Sequence, residues 1–431
     1  MQRQWKLTPE FVIAISAGFL LAYSLWFVPL MLARDLFPRT MDFVSFYTAA
    51  QLVLTKPAAL YDLQAQSVLQ QPIFYPFTTG GNVLGYFNTP FLAYFFIPLT
   101  SFSYDIAFWM FFLINGVIFL VTARLLNHLH QGTHLHYIAW ILGGFAFFPT
   151  FKGILLGQNS ILSLFILTST TYFLLRRRES LAGRILALEL FKPQLALLFV
   201  LLPLYKRRWK LVTAFSLVAV ILVGVSFLPL GYTGVNDYVT LSGRILSWNE
   251  ENGIFLESMQ SWRGVFYFFL RSDSMTLVNT MSSITSALTI LLCLVAFTGK
   301  WQLKPPLFRV QWSLAVLCAL LATPHAYNHD LTLLLLPAAL LVAHGGSRQA
   351  SETFVRLFPI LGSVFFVAAF VSGVLPKEAI MPVVQPLLLL SIALCLYEVR
   401  RLKTVSLKHS HCEARATSNQ RFDRIRCKKV T

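Results

Sequence analysis

The chain has 431 residues, of which 56% are hydrophobic and only 12% charged, where a soluble domain carries roughly 25% charged residues. Its apolar residues gather in segments near the length a helix needs to cross hydrocarbon, which excludes a soluble globular enzyme and predicts an all-α, polytopic integral membrane protein with about ten to twelve transmembrane helices. The formal net charge of +17 invites a nucleic-acid partner, but the basic residues sit in short loops and the tail, as the positive-inside rule requires, so no nucleic acid is expected.

The first apolar segment, 11–32, is too long for a signal-peptide core and lacks a small-residue cleavage pattern, so it reads as an anchor. With the N-terminus inside, residues 34–86 form a first outer loop, carrying Arg34, Arg39 and Lys56 against Asp35, Asp42 and Asp62. Asp42 stands in Met41-Asp42-Phe43-Val44-Ser45-Phe46-Tyr47, just beyond the membrane. Two readings stay open for it: a carboxylate that does chemistry, or the N-cap of a helix starting at Phe43. The stretch from Lys56 to Gln71 predicts a helix on the surface, with Asp62 as its N-cap. Tyr61, Tyr75, Tyr86, Asn88 and Pro90 complete the polar and aromatic content of this loop. Residues 88–100 are apolar but span only about 20 Å as a helix, so they are expected to dip into the membrane and return; the alternative makes them a true span, which would move Gln158 inside and the Arg176 cluster outside unless another segment compensates.

Spans are then expected at 104–126, 137–151 and 159–175. His128, His130, His134 and His136 fall in the solvated connection between the first two. Lys152 and Gly157-Gln158-Asn159 fall outside, where Gln158 and Asn159 serve a site or merely cap the next helix. Arg176, Arg177, Arg178 and Arg184 form one inner basic cluster, and Lys206, Arg207, Arg208 and Lys210 the next. Between them, 181–204 reads as a hairpin of two half-helices broken at Lys192-Pro193, with Lys192 at its outer apex.

A span at 210–230 leads to a second outer loop, 231–273, holding Asp237, Arg244, Trp248, Asn249, Glu250, Glu251, Trp262 and Arg263. Its Trp residues double as candidates for an interfacial belt. Spans at 276–297 and 307–323 flank a third basic cluster of Lys300, Lys304 and Arg309. The polar run Pro324-His325-Ala326-Tyr327-Asn328-His329-Asp330 lies outside. Spans at 330–344, 354–374 and 380–398 follow, with Pro376 to Glu378 outside. Residues 1–400 thus form a single membrane domain, and 401–431 a flexible basic cytoplasmic tail drawn to anionic headgroups. Five cysteines, three in spans and two in the tail, show neither disulfide nor zinc spacing.

Ionisable groups at the membrane boundary are functional candidates by default. His325 and His329 are spaced i, i+4 and would share a helix face, but no glutamate stands between them as a zinc protease needs, and no metal site is expected. Lys192 could instead snorkel to a headgroup. The outer face offers an acid, several cations, amides and aromatics above an apolar body, which suits a substrate with a lipid tail and a phosphate head. A carboxylate can deprotonate an incoming hydroxyl, and cations can stabilise a departing phosphate. A transporter or flippase for a lipid-linked or small anionic substrate is the alternative, but its site would lie near the midplane, whereas here the spans carry few charges and show no convincing internal repeat; a non-enzymatic assembly subunit is a third.

Several short motifs, in this order and spacing, carry a resemblance to a known family. They are Asp42-Phe43 with Phe46-Tyr47 and Ala49-Ala50, Leu60-Tyr61-Asp62, Tyr86-Phe87-Asn88-Thr89-Pro90-Phe91, Pro98-Leu99, Gly157-Gln158-Asn159, Lys192-Pro193-Gln194, and Pro324-His325 with His329-Asp330. Over most of residues 8–400 the chain resembles the polyprenol-phosphate-sugar-dependent glycosyltransferases of family 87, membrane enzymes of the GT-C superfamily. The resemblance implies a GT-C-like fold and transfer of a sugar, commonly mannose but in some relatives arabinofuranose. The sugar would pass with inversion from a polyprenyl-phosphate donor to a hydroxyl of a glycan or glycolipid acceptor, outside the cytoplasm at the cell membrane. It implies Asp42 as general base and His325, His329 and Lys192 around the donor phosphate. Tyr47, Asp62, Asn88, Gln158, Asn159, Arg263 and Asp330 would hold sugar or acceptor, with no metal or other cofactor. Thr89 stands where the family often has a proline, a departure that does not touch the chemistry.

Overall fold

The computed structural model describes residues 8–33, 42–74, 83–245, 255–270, 274–299, 301, 303, 305–374 and 383–418, the side chains of 28, 30–33 and 407–418 excepted. Arg34, Asp35, Arg39, Tyr75, Trp248, Asn249, Glu250, Glu251, Lys300, Lys304, Pro376 to Glu378 and Cys427 lie outside the described residues, as does the side chain of Cys412. Every regular element among the described residues is a helix, as the composition predicts for a chain whose backbone must satisfy its own hydrogen bonds in lipid.

In chain order the helices are α1 (Pro9–Ala33), α2 (Phe43–Thr55), α3 (Leu63–Phe74), α4 (Pro90–Phe96), α5 (Tyr104–His130), α6 (His134–Ala146), α7 (Phe148–Leu155), α8 (Ser160–Leu175) and α9 (Glu179–Ala187). They continue as α10 (Pro193–Tyr205), α11 (Trp209–Phe227), α12 (Gly231–Arg244), α13 (Trp262–Leu270), α14 (Met275–Ala296), α15 (Leu307–Ala322), α16 (Leu335–Gly345), α17 (Glu352–Val374) and α18 (Val384–Ser418). Short 3-10 turns occupy Ile97–Ser101, Leu188–Phe191, Leu228–Leu230 and Asn328–Leu334, among others.

Five helical stretches are long and apolar enough to cross a membrane: Pro9–Phe27, Tyr104–His130, Trp209–Arg244, Met275–Ala296 and Glu352–Val374. The pair α6 and α7, bent by 65°, makes a sixth if taken as one span. The other apolar helices, among them α2, α8, α10 and α15, are 10–17 residues long, so the expected ten to twelve spans are reached only by counting these as well. For α15 the shortness has a physical setting: residues 308–321 are buried at every position, so this helix is enclosed by the protein and need not match the bilayer thickness alone.

The two ends of the bundle differ in chemistry. At one end the basic clusters meet: Arg208 pairs with Glu179, Lys206 Nζ donates to Gly299 O at 2.6 Å, Lys403 Nζ to Thr298 Oγ1 at 3.2 Å and Arg309 to Ala343 O at 3.3 Å. At the other end stand the N-termini of α2, α8 and α10 and the C-termini of α7 and α17, tied together by the contacts described below. The basic segment after Arg400, expected to be flexible, continues α18 as helix to Ser418; no Gly or Pro interrupts residues 387–418, and Leu, Lys, Arg, Ala and Glu there favour helix.

Candidate active site

Asp42 is fixed from below by α2. Residues 43–50 of that helix are all buried, with Phe43 stacked on Phe111 at 5.2 Å and Phe46 on Phe96 at 5.2 Å. Ala49 and Ala50, both 0% exposed, let neighbouring helices approach closely. The turn after α7 fixes Asp42 from the side. Leu156 O accepts from Phe43 N at 3.2 Å. Gly157 has φ +66 and would carry any Cβ only 2.7 Å from Phe43 Cβ, so glycine is required there by both conformation and space. The next residue, Gln158, donates through Nε2 to Asp42 Oδ2 at 2.7 Å. The Asp42 side chain makes no capping bond to α2; Ser45 Oγ closes that turn onto Asp42 O at 2.9 Å. Of the two sequence readings, the geometry therefore disfavours the cap.

The polar run 324–330 forms the opposite wall. It does not present His325 and His329 on one α-helical face: residues 323–327 are irregular and a 3-10 turn starts at Asn328. Asn328 Nδ2 anchors the turn to α17, donating to Ala369 O and Ser372 Oγ, each at 2.9 Å. Asp330 is the hub. Its Oδ1 accepts from Lys192 Nζ at 2.7 Å and Ser160 Oγ at 3.1 Å, and its Oδ2 from Tyr327 N at 3.0 Å. Lys192 reaches it because the chain breaks there, the 3-10 turn ending at Phe191 and α10 starting at Pro193, whose ring cannot continue a helix from before it.

The histidines are buried neutral. Burial draws His325 down to about 4, the Arg263 guanidinium adding to the effect and Asp330 opposing it. Burial likewise lowers His329, against the pull of Asp330 and Asp42 and with the push of Lys192 and Lys152. His329 Nε2 lies 3.6 Å from Asp330 Oδ2, and His325 Nε2 has no partner among the described residues. At neutral pH these rings offer hydrogen bonds, not charge. The same electrostatic neighbourhood includes Arg263, which with Asp42 and Asp330 acts on Tyr327, and Lys152, on which the Asp42 carboxylate acts. Among the described residues no three His, Cys, Asp or Glu side chains gather as metal ligands would.

The structure thus brings together Asp42, Gln158, Lys192, His325, His329, Asp330 and Arg263. Arg263, at 1% exposure, donates its Nε to Asn279 Oδ1 at 3.2 Å. Three other predicted residues, Asp62, Tyr47 and Asn88, hold framework, and a fourth, Asn159, makes no such bond. Asp62 Oδ1 accepts from Gln64 N at 2.9 Å at the start of α3, as an N-cap does. Tyr47 donates its hydroxyl to Phe102 O at 2.9 Å. Asn88 Nδ2 donates to Phe191 O at 2.9 Å, which ties the first loop to the residue before Lys192. Asn159 begins α8 without a side-chain capping bond. Sequence reasoning passed over Ser160, and also Glu189, fully buried one turn before Lys192, with neither carboxylate oxygen hydrogen-bonded among the described residues. An acidic residue inside an apolar hairpin was the available signal for the latter.

A protein-family model described as glycosyltransferase family 87 matches residues 86–324, more than half of the chain. No curated protein and no solved structure matches it.

Proposed function

The chain belongs to glycosyltransferase family 87, and from that premise we propose that it transfers a sugar, mannose in the first instance, from a polyprenyl-phosphate donor to a hydroxyl of a glycan or glycolipid. The acceptor oxygen attacks C1 of the sugar, its proton passes to Asp42, and the C1–O bond to phosphate breaks with the electron pair leaving on the phosphate. Attack opposite the leaving group inverts C1, so a β-linked donor gives an α-linked product. The leaving group is a phosphate monoester, and the neutral imidazoles of the 324–330 wall, with Lys152 and Lys192 beside it, would line its exit. No metal is required by this scheme. The extracytoplasmic face of the cell membrane is the proposed location, in keeping with the gathering of the basic loops at the end of the bundle away from Asp42.

One observation supports the base above all. The Asp42 carboxylate is oriented by the amide of Gln158 at 2.7 Å and, among the described residues, makes neither an ion pair nor a cap, so a lone pair is available for a proton. The test is Asp42→Asn in membranes supplied with polyprenyl-phosphate-mannose and candidate acceptors. The amide oxygen can still accept from Gln158, so the protein should fold normally, while transfer should fall about 10²- to 10⁴-fold, the usual contribution of a general base. Undiminished transfer would remove Asp42 from the mechanism.

A further inference from the structure

The donor phosphate enters with one negative charge and leaves as a monoester with more, so the site must offer a cation that is not already neutralised. Lys192 does not meet that need. It is held by Asp330 at 2.7 Å, with both side chains about nine-tenths buried, and withdrawing it would strand a buried carboxylate. The two histidines are neutral. Arg263 is fully buried and bonded to Asn279.

Lys152 is different. It lies on the last turn of α7, whose break from α6 at Phe147 swings it toward the 324–330 wall. Its ammonium has a single hydrogen-bond partner among the described residues, the uncharged carbonyl of Gly373 at 3.3 Å, so two of its three donors remain for a ligand. It is part-exposed and close enough to feel the Asp42 carboxylate and to act on His329. The adjacent Phe151 belongs to a half-buried aromatic face, 4.7 Å from Tyr23 and 6.0 Å from Phe27 between ring centroids. A cation beside such a face matches a phosphate beside a prenyl chain.

Resting on the reading of the donor given above, we propose that Lys152 is the residue that binds the donor's phosphate, with Lys192 a positioning residue that holds Asp330 and the 324–330 wall. Farnesyl phosphate binding to the purified protein in detergent, measured against farnesol, tests this. Lys152→Gln should weaken farnesyl phosphate binding about tenfold or more, as loss of a charge-assisted hydrogen bond does, and leave farnesol binding unchanged. Lys152→Arg should restore it to within a few-fold, which guards against misfolding as the explanation. The charge-neutral double variant Lys192→Gln/Asp330→Asn, which loosens the wall without touching the phosphate contact, should weaken farnesyl phosphate and farnesol in equal proportion. Parental affinity in Lys152→Gln, or a double variant whose loss is confined to farnesyl phosphate and exceeds that of Lys152→Gln, would overturn the assignment. A parent protein that prefers farnesyl phosphate no more than farnesol would instead reject the lipid-phosphate donor itself, and the role of Lys152 with it.

Discussion

His325 carries a titration that the site's ion pair does not. Its imidazole is buried beside Arg263, which places its pKa near 4 in the folded chain, against an ordinary 6.5. Between those values the unfolded chain binds the proton and the folded chain refuses it, so stability falls as pH falls from about 6.5 and levels off below about 4. The full difference corresponds to about 3 kcal/mol. Thermal inactivation of the purified protein should therefore steepen as pH falls below about 6.5, and His325→Gln should make that acid limb shallower, leaving the part that His329 carries. A variant as acid-sensitive as the parent would assign the limb to other groups. At this scale the sequence was informative about Asp42, Gln158 and Asp330, whose residue types are costly at a membrane boundary. It was less so about charge state, because spacing alone does not say that a histidine is desolvated.

The turn from α7 into α8 decides whether Asp42 has an orienting partner. Alanine at 157 would force a left-handed conformation on an L-residue, at about 1–2 kcal/mol, and would drive a methyl into Phe43, whose Cβ lies 2.7 Å from the position it would take. Gly157→Ala should lower the thermal midpoint and, by moving Gln158 off Asp42, reduce transfer more than its loss of stability explains. Gln158→Glu separates the two effects, since it keeps the turn and replaces the donor by a carboxylate repelling Asp42. If Gly157→Ala keeps full activity, the turn does not set the geometry of the base. Element breaks were legible where proline announces them, as at Lys192-Pro193. The bend between α6 and α7 was not read, although Pro149 sits in the first turn of α7, because residues 137–151 are apolar enough to pass as one span. The i, i+4 spacing of His325 and His329 misled for a related reason: Pro324 precedes an irregular segment, and a helical period means nothing outside a helix.

Across the whole molecule, the basic clusters give each expected span a proposed direction. The inner assignments of Arg176 to Arg178 and Lys206 to Arg208 agree with a bundle in which those clusters meet one another, the turn at Gly299, and α18. The exact span count was less legible, since short helices enclosed by protein look in sequence like short helices of any kind. The proposed orientation has a direct consequence. Thr233 at the start of α12 and Ser180 at the start of α9 are both exposed, stand at opposite ends of the bundle, and are close in size to cysteine. Cys293, Cys318 and Cys395 are buried, so replacing Cys412 and Cys427 by serine leaves a quiet background. In intact cells a membrane-impermeant thiol reagent should then label Thr233→Cys directly, and Ser180→Cys only after permeabilisation. The reverse pattern would put Asp42 and its wall in the cytoplasm, where soluble nucleotide sugars are the natural donors. It would thereby remove the reason for a lipid-linked one, since a polyprenyl carrier is needed only where the sugar must be used on the far side of the membrane from its activation.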